Sequence, residues 1–90
     1  MFEAEDERIA RTLTFRQIKV LKALDVAKTP IEGFALVKET DSSFEDMYDL
    51  GHHGLLDPGF DRLVKNSVHP LITERGRAVL RVVEAIGLGG

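Results

Sequence analysis

The sequence predicts a mainly α fold with one small β-hairpin set ahead of its last helix. Three observations predict it. Capping signals at Thr14 and Thr29 each open a stretch of apolar residues at helical spacing. Two short apolar runs, Leu55-Leu56 and Leu71-Ile72, flank a mostly polar segment, as the arms of a hairpin do. Thr73 then opens an amphipathic run that reaches Ile86 and stops at Gly87.

A chain of 90 residues supports one modest core, so a single domain over 1–90 is expected. Its 43% hydrophobic and 30% charged residues are those of an ordinary globular protein. The absence of cysteine excludes a disulfide framework, a thiolate zinc site and a thiol nucleophile. No apolar run has the length to span a bilayer, and the first residues, Met1 to Glu7, are acidic where a secretory signal is basic. A cytoplasmic protein is expected. The net charge of −3 argues against an unspecific polyanion binder, but it is unevenly spread. By formal charge, residues 1–7 carry −4, residues 8–29 carry +5, residues 30–57 carry −6 and residues 58–90 carry +2.

Taken in order, residues 3–12 suit a short helix with Phe2, Ile9 and Leu13 on one side, acids at its start and Arg8 and Arg11 near its end. Residues 1–13 thus form an N-terminal helix or arm. Thr14-Phe15-Arg16-Gln17 is a capping box, and Phe15, Ile18, Val20, Leu21 and Leu24 give the helix behind it a broad apolar face. Thr29-Pro30-Ile31-Glu32 is a second capping box with Pro at the first helical position, opening a helix to about Glu39. Gly33 weakens that helix by about 1 kcal/mol relative to Ala, which points to close packing. Asp41-Ser42-Ser43 is a break, and either Ser42 with Glu45 or Ser43 with Asp46 caps a third helix whose stripe is Phe44, Met47, Tyr48 and Gly51. Gly51 to Gly54 ends it. Asp57-Pro58-Gly59 is turn chemistry, Phe60 to Val68 forms the loop, and Pro70 suits the start of an edge strand. Thr73 caps the last helix, with Ala78, Val79, Val82, Val83 and Ile86 on its apolar side, and residues 87–90 are a flexible tail.

Two stretches carry a resemblance. Gly54-Leu55-Leu56 precedes Leu71-Ile72-Thr73-Glu74-Arg75-Gly76-Arg77 by the interval at which, in MarR-type and PadR-type transcriptional regulators, a Gly-Leu-hydrophobic arm precedes a Leu-Thr-x-x-Gly-Arg signature. The chain resembles that family in order over roughly residues 13–86, and closely over 54–80. The resemblance implies a winged helix-turn-helix: a three-helix core plus a wing and a C-terminal helix. It further implies a homodimeric transcriptional regulator that binds double-stranded DNA, with helix 42–53 in the major groove and wing 57–70 against the backbone. An extra N-terminal helix often supplies the dimer contact in such repressors. On this mapping Ser42, Ser43, Glu45, Asp46, Asp49 and His52 face outward. The DNA-binding candidates are Ser42, Ser43, Arg62, Lys65 and Asn66, with Ser67 beside them and Arg75 and Arg77 behind.

The chain departs from the family in one respect. Residues 44–57 contain Glu45, Asp46, Asp49 and Asp57 and no Lys or Arg, where phosphate contacts need cations. An alternative is therefore a winged-helix protein–protein interaction module that uses its acidic third helix and does not bind DNA. Asp49 and His53 stand four apart, with His69 later in the chain, a spacing that suits a divalent metal but more commonly marks histidines at a helix C-terminus. No metal or cofactor is expected. Without a recognisable nucleophile–histidine motif, a Gly-rich phosphate loop or a spaced carboxylate pair, neither is an enzyme.

Overall fold

The computed structural model describes residues 2–57 and 69–87. Among these, five helices accompany a two-stranded antiparallel sheet: α1 (Ala4–Thr12), α2 (Phe15–Val26), α3 (Gly33–Thr40), α4 (Phe44–His52), β1 (Leu56–Asp57), β2 (Leu71–Ile72) and α5 (Glu74–Ile86). Leu56 pairs with Ile72 and Asp57 with Leu71. The protein is mainly helical with a small hairpin-like pair of strands, as the sequence predicts. No described helix is long and apolar enough to cross a membrane.

α2 lies at the centre, packed against α3, α4, α5 and β2. Its start follows from local chemistry. Thr14 Oγ1 accepts from the Gln17 amide at 3.2 Å, and Gln17 Oε1 accepts from the Thr14 amide at 2.9 Å. Val20 and Leu21 are fully buried, with Ile18 and Leu24 nearly so. Phe15, expected in the core, is 58% exposed and lies under the Lys19 ammonium, 5.5 Å from its ring centroid. The inward position near the start of α2 belongs to Gln17, whose amide reaches 3.2 Å to the Asp46 carbonyl. One side chain therefore caps α2 and holds the first turn of α4.

The N-terminal segment is a packed helix. α1 lies along α5, burying Ile9 and Ala10 between them. Asp6 bonds Arg75 at 3.4 Å, which sets the start of α1 beside the start of α5. On the solvent side Arg8 pairs with Glu5 at 2.6 Å and holds its carboxyl below the usual carboxylate range. Phe2, expected on the packed side, is 44% exposed.

α3 begins later than the Thr29 signal predicts. The capping box does not form: Glu32 is the N-cap, in extended conformation and without a side-chain cap, and Gly33 is the first helical residue. The reason is tertiary. Ile31 packs against the core, and the chain is extended at Ala27 and again at Glu32, with bends at Lys28 and Thr29 between them. Gly33 is buried, as close packing requires. Asp41 ends the helix in the left-handed region at φ 55°, and its amide bonds the Val37 carbonyl.

In α4 the inward positions are Met47 and Leu50, both fully buried, whereas Phe44 and Tyr48 are half-buried. Phe44 meets the exposed Phe34 of α3 edge to face at 4.9 Å. The expected stripe thus turns toward Leu50, which the spacing from Phe44 had left out. Leu80, likewise unlisted on the last helix, is fully buried beside Val79.

The segment Gly54–Leu56 and the start of α5 are clasped together. Leu55, expected in the first strand, is fully buried just before it, and Asp57 belongs to the strand itself. The Leu55 carbonyl accepts from the Thr73 amide at 3.0 Å. The Thr73 hydroxyl donates to the Gly54 carbonyl at 2.7 Å and accepts from the Gly76 amide at 3.0 Å. Gly54 itself sits at φ +78°, a left-handed conformation. A Cβ on Gly76 would stand 2.5 Å from the Leu55 carbonyl oxygen and 2.7 Å from Ile72 Cγ1.

Gly76→Ala tests that clasp. Ala is the better helix former by about 1 kcal/mol, yet the contact is with backbone that cannot swing aside. A loss of about 2 kcal/mol is expected by urea denaturation, in the range of overpacked cores. A stabilised variant contradicts the close approach.

Candidate functional site

The outward face of α4 and its surroundings are the candidate site. Ser43 is the N-cap: its Oγ accepts from the Asp46 amide at 3.2 Å, and Asp46 Oδ2 accepts from the Ser43 amide at 3.0 Å. Of the two capping arrangements open in the sequence, the Ser43–Asp46 box forms. Its acid lies favourably at the positive end of the helix. Ser42 Oγ is 2.7 Å from Thr40 Oγ1, whose hydroxyl also donates to the Leu36 carbonyl at 2.7 Å. Both serine hydroxyls expected to face DNA are thus engaged in the turn between α3 and α4.

Glu45 and Asp49 are exposed, and neither makes an ion pair with a described residue. Being four apart on one helix, they repel each other by about 0.2–0.5 kcal/mol. His52 is also exposed, with its ring 6.4 Å from that of His53. Among the described residues no group of three or more histidines and acids is placed to hold a metal ion.

The two arginines expected behind the wing have acidic neighbours. Arg75 Nε lies 3.4 Å from Asp6, tying α5 to α1. Arg77 Nε lies 3.6 Å from Asp25 of α2, and Arg81 approaches the same carboxylate more closely, at 2.6 Å. Asp25, and after it Glu84, hold the Arg81 guanidinium above its ordinary pKa. Arg62, Lys65, Asn66 and Ser67 lie outside the described residues. The described cations that have no acidic partner, Arg16, Lys19, Lys22, Lys28 and Lys38, stand on α2, α3 and the connector between them.

The site therefore combines a rigidly capped helix with an acidic outer face that makes no ion pair among the described residues. The sequence located the acids. It gave no signal for the pairing of Arg75 and Arg77, whose partners come from distant parts of the chain. No family model, curated protein or solved structure matches the chain.

Two substitutions separate the structural from the surface role. Ser43→Ala should destabilise by about 1 kcal/mol through loss of the cap. Asp49→Lys should stabilise by a few tenths, because it turns a repulsive pair into a Glu45–Lys attraction with the cation toward the helix C-terminus. Thermal or urea unfolding measures both. A clear loss of stability in Asp49→Lys contradicts the assignment of that face as free of ion pairs among the described residues.

Proposed function

We propose that the chain is a winged helix-turn-helix module that binds duplex DNA as a transcriptional regulator, with α4 as its docking helix. The order of elements carries this reading: helix α3, a tight polar turn at Asp41–Ser43, α4, then paired strands and a capped final helix. The outward carboxylates of Glu45 and Asp49 can accept hydrogen bonds from cytosine amino groups. They cannot neutralise phosphate. In this reading the backbone contacts fall to cations off α4, among them Arg62 and Lys65.

A second reading rests on a specific observation. Glu45 and Asp49 form an exposed like-charged pair that no cation among the described residues offsets. Such a surface suits the basic face of a protein partner, and the fold alone does not choose between the two.

Fluorescence anisotropy with random-sequence duplex DNA tests the first reading. Binding should weaken steeply between about 50 and about 200 mM salt. Charge reversal at Arg62 and Lys65 should lower affinity and flatten the salt slope; unchanged binding removes them from the interface. The double variant Glu45→Gln, Asp49→Asn moves the two readings in opposite directions. It should tighten binding to DNA, by relieving repulsion from phosphate, but should weaken capture of a basic protein partner.

A further inference from the structure

A groove of about 380 Å³ opens between the α2–α3 connector and β2, away from the outward face of α4. Its floor is hydrocarbon: Leu24 and Ile72, each 7% exposed, with Ala27, Ile31, Pro70 and the half-exposed Leu71. Its volume falls at the small end of ligand clefts, about 300–1,000 Å³, which favours a small molecule over a peptide.

The polar part of the groove is cationic. Lys28 on the connector has no ion-pair or hydrogen-bond partner among the described residues. The side chain of Arg77, the fourth residue of α5, makes no hydrogen bond to a described residue and meets Asp25 only at 3.6 Å. Asp25 is the acid beside it, and its shorter contact, at 2.6 Å, is with Arg81. The Arg77 fork is thus not required to hold that carboxylate, and its side chain is 54% exposed. Guanidinium matches a carboxylate through two parallel N–H donors, and an ammonium adds a point charge.

We propose that this groove binds a small monocarboxylate with a hydrocarbon body, its carboxylate held by Arg77 and Lys28 and its chain laid over Leu24, Ile31 and Ile72. The body covers the half-exposed Leu71 and the edges of Leu24, Ile31 and Ile72, and the acid meets the two cations of the groove, neither of whose side chains makes a hydrogen bond to a described residue. The inference is independent of whether α4 takes DNA or protein.

Isothermal titration of the full chain with octanoate tests it, with acetate and octanol as controls and amide chemical shifts to place the site. Octanoate should bind saturably and move the amides of residues 27–29 and 71–72. Acetate, lacking the body, should not bind. Octanol, lacking the charge, should bind at least about tenfold more weakly, the worth of a charged hydrogen bond. Arg77→Gln should weaken octanoate about tenfold. Lys28→Gln should weaken it by a smaller factor, and because Lys28 makes no ion pair or hydrogen bond with a described residue this variant keeps the test valid if Arg77→Gln unfolds. Failure of octanoate to saturate, equal binding of octanol, or unchanged binding in both variants overturns the proposal. Tighter binding of a short apolar peptide through its C-terminal carboxylate would overturn the small-molecule assignment.

Discussion

The clasp between Gly54–Leu55 and Thr73–Gly76 is the constraint on which the rest of the structure depends. Three hydrogen bonds converge on two residues of α5's N-terminal cap and first turn, and the missing Cβ of Gly76 lets the Leu55 carbonyl approach. This fixes where α4 ends relative to where α5 begins. The strand register follows, because Leu56 and Ile72 are the neighbours of the clasped residues on either side. α5 in turn carries Arg75 to α1 and Arg77 and Arg81 to α2. Three of the residues that resemble a family signature are therefore a mechanical joint. Gly54 supplies a left-handed turn, Thr73 bonds both sides, and Gly76 supplies space.

Gln17 plays the corresponding part at the other end of α4. Being only 4% exposed, its amide needs partners at both ends, and the Thr14 amide and the Asp46 carbonyl provide them. α4 is thus held at its start by α2 and the Ser43–Asp46 cap, and at its end through the clasp. A helix pinned at both ends has little left to order, which in the proposed reading lowers the cost of docking.

The sequence disclosed most where the chemistry is local. The Thr14–Gln17 and Ser43–Asp46 boxes need only residues three apart, and Gly87 closes α5 in the left-handed conformation that glycine favours. The Thr29 signal failed because the partly buried Ile31 packs against the core, and the helix starts at Gly33 instead. Phe15 misled for a related reason, since periodicity marks a face without saying whether another element covers it. The engagement of Arg75 was hidden because its partner lies 69 residues away. The groove beside β2 was equally hidden, being formed by two segments that no periodicity connects.

The central claim is that α4 docks onto a partner by its outward face while α2 and β1 support it from behind. Amide chemical-shift mapping of the chain titrated with random-sequence duplex DNA tests this most directly. The account predicts that shifts concentrate in residues 43–53 and leave the buried faces of α1 and α5 unmoved. Shifts confined to α1 and α5 would contradict it.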